Sequence, residues 1–188
     1  KMKKTITEFY GKNIEESSDF GRIVNARQFD RLQLLLKKEV KNITFGGQAN
    51  RENLFIEPTI LENVSWDNPI MEDEIFGPIM PIIKYDELPL AIHKIRQLPK
   101  PLSAYLFSEH EKAIEYFLDE LSFGGGCIND VISHVGNMHL PFGGVGTSGV
   151  KAYHGKASFE NFTHPKSILK RSSKLSTDIV LPPYKNKV

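Results

Sequence analysis

The sequence predicts an α/β fold, a parallel sheet with crossover helices that ends in a C-terminal arm. Three observations predict it. From Ile79 to Ile132 the chain runs strand, helix, strand, helix, strand with short connectors. That rhythm marks parallel strands, because a parallel neighbour is reached only through a long crossover. The length, 188 residues, suits one domain and an arm. The composition, 40% hydrophobic and 25% charged, is that of a soluble globular chain and not of a disordered or membrane-embedded one.

Charge and cysteine content narrow the setting. The formal net charge is +1, so no electrostatic field draws the chain to nucleic acid or to an acidic membrane surface. No apolar run approaches the length of a bilayer span. The single cysteine, Cys127, excludes an intrachain disulfide and points to a reducing, cytoplasmic compartment. Lys1–Met2–Lys3–Lys4 is basic, but no apolar segment comes after it, so it is not read as a secretory signal.

The opening stretch KMKKTITEFYG reads as a helix with Ile6, Phe9 and Tyr10 on one face and Gly11 as its stop. No start signal precedes it. It therefore reads as an element entered midway in a longer protein, with a short native N-terminal helix as the alternative. Asn25 caps a second helix, ARQFDRLQLLLKKEV, whose apolar face is Phe29, Leu32, Leu36 and Val40. Ile43–Phe45 is a short strand and Gly46–Gly47 a turn. Leu54–Val64 is extended, with Pro58 at an edge or bend.

Asn68–Ile79, NPIMEDEIFGPI, is the stretch with the most chemistry. Glu72, Asp73 and Glu74 run into Ile75–Phe76 and a Gly77–Pro78 corner. Gly77 offers backbone angles closed to other residues, and Pro78 fixes its own φ and stiffens the corner. A stiff loop presenting a carboxylate beside a ring suits a polyhydroxyl ligand with a flat face. A buried phenylalanine beside solvated acids is the plainer alternative.

Ile79–Tyr85 is then a strand, Asp86–Leu98 a helix facing inward through Leu88, Ala91, Ile92 and Ile95, and Leu102–Phe107 a strand. Ser108 and Glu111 have capping-box spacing ahead of a helix carrying Ala113, Ile114, Phe117, Leu118 and Leu121. Gly124–Gly126 stops that helix, and Cys127–Ile132 is the third strand of the set. Ser133–Gly155 reads as loop, Ser167–Arg171 as a further short strand, and Leu175–Val188 as an extended arm.

Gly144–Gly149 spells G-x-G-x-x-G, but Pro141–Phe142 precede it and the next acid, Glu160, comes too early for a dinucleotide turn. It reads as a tightly packed glycine loop. Cys127 has two readings, a nucleophile with His134 or His139 as base, or a small core residue. Asn129–Asp130, at the end of a strand, suits a site or simply a turn. The histidines His134, His139, His154 and His164 fall at no metal-ligand spacing, so no metal site is predicted.

Several of these stretches together resemble one family. EIFGP at Glu74–Pro78, PFGG…SG at Pro141–Gly149, KPLSAYLFS, GGGCIND and YHGKASFENF are similar to aldehyde dehydrogenases. EFYG at Glu8–Gly11 and DFGRIVNARQF at Asp19–Phe29 resemble the class 3 branch. The resemblance runs from Glu8 to Arg171. It implies the C-terminal part of an enzyme that oxidises an aldehyde to a carboxylate with NAD or NADP. In that reaction a cysteine thiolate forms a thiohemiacetal, hydride leaves to the cofactor, and glutamate-activated water cleaves the thioester.

Carried over, Glu74 would hydrogen-bond the nicotinamide ribose hydroxyls and Phe76 would pack near the nicotinamide. Such a charge-assisted bond contributes on the order of 1.5–3 kcal/mol. The loop from His134 to Phe142 would lie near the aldehyde pocket. Residues 1–132 would be part of the catalytic domain, and 133–188 the pocket loop, a pairing strand and the tail. A homodimer through that last segment is implied. Asp73 departs mildly from the glutamate of many members, and Val145–Gly146–Thr147 replaces a lysine-bearing loop, as in class 3. The family's nucleophile, base and oxyanion residues would lie upstream, and Cys127 does not match the nucleophile motif. The chain alone is therefore expected to be inactive and to bind NAD(P) very weakly. No membrane anchor and no nucleic-acid partner are expected. A non-catalytic interaction module is the rival reading, and a cysteine hydrolase using Cys127 a further one.

Overall fold

The computed structural model describes residues 1–174 and 182–184. It divides into two compact units, Lys1–Ile95 and Arg96–Val188. This division by packing is a different cut from the division by role at residue 132.

The first unit opens on α1 (Met2–Tyr10), closed as expected by Gly11, whose φ of +79° is open to glycine and whose N–H donates to Thr7 O at 2.9 Å. Helix α2 (Ala26–Lys38) comes next. Asn25 caps it, its Oδ1 accepting from Gln28 N at 3.0 Å, and Lys37 and Lys38 oppose the negative end of the helix dipole. Phe29, Leu32 and Leu36 are buried as the spacing predicts. Val40 is exposed, because the helix ends at Lys38 and a 3₁₀ turn over Val40–Asn42 rotates it off the apolar stripe.

Strand β1 (Ile43–Phe45) leads into a hairpin of β2 (Ala49–Asn50) and β3 (Phe55–Ile56). Beyond Pro58 comes β4 (Thr59–Leu61), antiparallel to β1, and then β5 (Ile79–Pro81), parallel to β4. Phe29, Leu32 and Leu36 pack with Ile56, Leu61, Val64, Ile70 and Ile79 into one core. Burying a side chain of this size contributes about 1.5–3 kcal/mol. Helix α3 (Leu88–Arg96) is shorter than Asp86–Leu98, and its buried residues are Ala91 and Ile92.

In the second unit, β6 (Ser103–Leu106), α4 (Glu111–Glu120) and β7 (Gly125–Ile128) form a strand–helix–strand crossover. The strands are parallel in the register Ser103↔Gly125 to Leu106↔Ile128. The expected single sheet of three parallel strands is corrected here. β5 pairs with β4, while β6 and β7 pair with each other. The alternating pattern specifies parallel sense, which both pairs show, but not which strands are neighbours. β5 also ends at Pro81, before the expected Tyr85, with Ile82 N still donating to Leu61 O at 2.9 Å; Pro81 is tolerated because β5 is the edge of its sheet.

Other expectations are corrected by local competition. Ser108 does not cap α4: its Oγ accepts from His110 N at 3.1 Å, and the Asn129 side chain takes up its backbone. Asn129 Oδ1 accepts from Ser108 N and Nδ2 donates to Ser108 O, both at 2.8 Å. The N-cap is His110, with no side-chain cap. Helix α4 ends at Glu120 without the glycines, and Gly125 and Gly126 belong to β7. Gly126 is required there: a Cβ would fall 1.9 Å from Ala104 O. The loop after β7 holds a short helix, α5 (Ser133–Gly136), and a 3₁₀ turn at Gly146–Ser148. No α-helix starts in the glycine loop, consistent with its reading as plain packing. Gly144 is pressed on Ser148, whose carbonyl a Cβ would meet at 2.1 Å.

Helix α6 (Gly155–Phe162) was not expected. Its sequence signal is the Lys156–Glu160 pair one turn apart, 3.3 Å between charges, and Ser158, whose Oγ accepts from His154 N at 2.9 Å. Ser167–Arg171 forms no strand and is exposed throughout. Of the expected arm Leu175–Val188, all but residues 182–184 lies outside the described residues.

Two substitutions test this account of the first unit. Asn25→Ala is expected to lower its stability by about 1 kcal/mol through loss of the cap. Gly77→Ala is expected to cost about 1–3 kcal/mol by overpacking, since a Cβ there falls 2.6 Å from Leu32 Cδ1 and Leu32 is fully buried. Denaturant titrations measure both, and an unchanged Gly77→Ala midpoint contradicts the packing argument.

Candidate functional site

In the first unit, the acid–aromatic loop is laid along α2. Asn68 starts it, its Oδ1 accepting from Ile70 N at 3.0 Å and fixing a 3₁₀ turn over Pro69–Met71. Ile70 is buried in the core and nails that turn down. In mid-loop, the Arg31 guanidinium donates to the Ile75 carbonyl. At the far end Gly77 fits against Leu32, and Pro78 O accepts from Thr59 N at 2.8 Å as β5 begins.

These anchors force a conformation on Phe76. Its φ is +48°, the left-handed region that costs a non-glycine residue roughly 1–2 kcal/mol. The strain falls on Phe76 and not, as the sequence led us to expect, on Gly77, whose φ is ordinary. Glycine is needed at 77 for space against Leu32. The Phe76 ring is 73% exposed, so the strain is not repaid by burial. A strained backbone holding a large ring in water is a mark of a binding position.

Glu74 and Phe76 line an open cleft of about 690 Å³. Arg22, Gln28, Arg31 and Asp73 line it with them. Arg31 is oriented by its Nε, which donates to Gln28 Oε1 at 2.8 Å. Arg22 lies over the Phe55 ring at 5.2 Å and donates to Phe20 O at 2.9 Å and to Glu15 O. A guanidinium has five donors, so each arginine keeps donors for an anionic ligand. The cleft thus offers two carboxylates for hydroxyls, a ring for a flat face and cations for phosphate. The arginines and Gln28 were missed in the sequence, where they read only as the polar side of an amphipathic helix and its approach. Their signal is the three-residue spacing of Gln28 and Arg31, which sets both on one helical edge.

In the second unit the structure brings His134, Phe142 and Cys127 together. His134, 7% exposed, packs across both strands. Its Nδ1 is 3.5 Å from Cys127 Sγ on β7 and its Nε2 is 3.4 Å from Ser103 Oγ on β6. The rings of Tyr105 and Phe142 lie 5.7 Å from it. Gly125 leaves room for the imidazole, which a Cβ would approach to 3.1 Å. Both ring nitrogens have partners and the ring is buried, so the geometry is that of a satisfied core histidine tying α5 to the two strands. His139 lies apart from it and is exposed. Asn129 and Ile132 take φ of +57° and +65° in the connecting loop. For a β-branched residue that is an outlier. The Asp130 carboxyl between them is held below the usual carboxylate range by the Ser133 hydroxyl and the Val131 N–H.

Known proteins are similar to this chain in sequence and in fold. The model of the aldehyde dehydrogenase family matches residues 1–168. The 4,4'-diaponeurosporen-aldehyde dehydrogenase of Staphylococcus aureus is 53% identical over 186 residues, covering 99% of this chain and 40% of that protein. The dimeric NADP-preferring aldehyde dehydrogenase of Rattus norvegicus is 46% identical over 172 residues, 92% of this chain and 38% of its own length. The substrate-bound state of Staphylococcus aureus AldH superposes with a TM-score of 0.90 at 54% identity, covering 98% of this chain and 40% of that one. An NAD+ complex of an aldehyde dehydrogenase from Bacillus cereus gives 0.72 at 26% identity, over 80% and 31%. The chain thus spans about 40% of the length of the first two relatives. The matched residues hold both the cleft on α2 and the β6–β7 crossover, and the chain belongs to the aldehyde dehydrogenase family.

Proposed function

We propose that the chain is part of an NAD(P)-dependent enzyme that oxidises an aldehyde to a carboxylate, and that its own share of the work is to grip the nicotinamide end of the cofactor. The chief support is Phe76, strained to φ +48° and exposed beside Glu74 in a cleft with two guanidinium groups. When bound, NAD(P)+ accepts the hydride. In this reading the Glu74 carboxylate accepts hydrogen bonds from the ribose diol, Phe76 covers a face of the nicotinamide, and Arg31 and Gln28 face the more polar end. The side-chain set fits that group: carboxylate acceptors for hydroxyls in Glu74 and Asp73, one ring, and cations for phosphate. The names of the relatives support both NAD+ and NADP+ as ligands.

Cys127 is not the nucleophile in this proposal. Its imidazole neighbour is buried and also spoken for by Ser103, so the 188-residue chain by itself has no dehydrogenase and no thiol-hydrolase activity. His134 and Phe142 act from behind the pocket loop, His134 by holding α5 to β6 and β7. We assign the aldehyde as substrate and a second copy of the subunit as partner. Pairing through the segment after Gly155 is supported by its exposed apolar side chains, among them Phe159, Phe162 at 90% and Leu169 at 89% exposure. The dimeric description of the rat relative supports the same reading. Among the described residues no helix is long and apolar enough to cross a membrane.

NMR titration of the chain with NAD+ and NADP+ tests the grip. Binding is expected to be weak, and Glu74→Ala is expected to weaken it roughly ten- to a hundredfold, the worth of a charge-assisted hydrogen bond. Micromolar binding indifferent to Glu74→Ala overturns the assignment. Phe76→Asn separates strain from function. Asparagine tolerates the left-handed region, so stability is expected to stay within about 1 kcal/mol of the parent or to rise, while cofactor shifts disappear. Aldehyde turnover or ester cleavage by the chain that is lost in Cys127→Ala contradicts the assigned inactivity.

A further inference from the structure

Glu39 is a carboxylate outside the cleft, and it is buried at 5% exposure. It sits just past the C-terminus of α2. Among the described residues no lysine, arginine or histidine pairs with it. Its partners are two side-chain amides. Oε2 accepts from Asn42 Nδ2 at 2.6 Å and from Asn68 Nδ2 at 3.2 Å. The first bond is local to the turn after α2. The second spans 29 residues and reaches the residue that starts the acid–aromatic loop. A buried carboxylate is costly unless such bonds satisfy it, so this one has to be explained by what it holds.

It holds Asn68. The Asn68 amide is used at both ends: Nδ2 is fixed by Glu39, and Oδ1 accepts from Ile70 N. Asn68 O also accepts from Met71 N at 2.8 Å. Orienting this one side chain therefore orients the turn Pro69–Met71, from which Glu72, Asp73 and Glu74 depart. The next anchor is Arg31 on Ile75 O. Arg31 and Glu39 are eight residues apart, about 12 Å of helix axis at 1.5 Å per residue. Helix α2 thus grips the loop at two points with Glu74 strung between them.

We propose that Glu39 is a positioning residue for Glu74 and Phe76, setting through Asn68 where the acid–aromatic pair leaves the body of the unit. The proposal rests on the cofactor reading of those two residues. Loss of the Glu39 carboxylate frees Asn68, lets the turn rotate about its Ile70 anchor, and spreads Glu74 over positions of which few meet a ribose diol.

The chain carries one tryptophan, Trp66, half-buried two residues before Asn68, which makes the turn visible without any ligand. The test measures acrylamide quenching of Trp66 and NAD+ and NADP+ affinity by NMR, in Glu39→Leu, Glu39→Gln and Asn68→Ala. Asp30→Ala is the control, since it removes the exposed ion pair of α2 with Arg51 without touching Asn68 or the cleft lining. Glu39→Leu and Asn68→Ala are expected to raise quenching and to weaken the cofactor by about tenfold, the worth of one hydrogen bond to a charged group. Glu39→Gln, which keeps an acceptor oxygen, is expected to recover most of both. Asp30→Ala is expected to change neither. If Glu39→Leu does not fold, Asn68→Ala breaks the same bond from the loop side and decides the matter. Parent-like quenching and affinity in a folded Glu39→Leu or Asn68→Ala, or the same changes in Asp30→Ala, overturn the proposal. An affinity unmoved by Glu74→Ala sinks the cofactor reading instead, while the quenching result still decides whether Glu39 sets the turn.

Discussion

The packing of Leu32 against Gly77 is the contact on which the rest of the first unit depends. It lets the backbone of the acid–aromatic loop come within side-chain distance of α2, closer than any larger residue allows. The remaining features depend on that approach. Arg31, one residue before Leu32, comes within reach of the Ile75 carbonyl. With the chain held on both sides, Phe76 is left to absorb the turn and goes to φ +48°. Its ring points away from the core, beside Glu74. A looser loop would relax Phe76, bury the ring, and lose the pair.

The energies agree with this order. The core around Phe29, Leu32 and Leu36 gains several times about 1.5–3 kcal/mol from burial, while the strain at Phe76 costs roughly 1–2 kcal/mol. A stable helix with a capped start and basic end can therefore hold one strained residue without loss of the fold. The second unit uses a different device. There a buried imidazole, bonded to a thiol and a hydroxyl on adjacent strands, ties a short helix to the β6–β7 pair.

Much of the fold was legible because it rests on local chemistry. Asn25 as a cap, Gly11 as a stop, the Phe29–Leu32–Leu36 stripe and the parallel sense of the strands all express short-range rules. Strand adjacency was not legible, since the periodicity that marks β5 as a strand says nothing about whether β4 or β6 lies beside it. The false capping box at Ser108 failed for a similar reason: Asn129, 21 residues away, took the backbone that the local pattern assigned to the helix. Helix α6 has no buried residue among those described, so it lacks the apolar stripe by which helices are read. At the candidate site, the identity of the acid and ring came from a motif. The strained angle, the role of Gly77, and the place of Gln28 and Arg31 in the cleft needed the tertiary structure.

The central claim is that Glu74 and Phe76 meet the nicotinamide end of the cofactor. Transferred nuclear Overhauser effects between bound NAD+ and the chain, with the phenylalanine rings selectively labelled, test it most directly. The account predicts contacts from the Phe76 ring to nicotinamide and adjoining ribose protons, absent in Phe76→Asn. Contacts confined to the adenine end, or contacts to the nicotinamide that persist in Phe76→Asn, would contradict it.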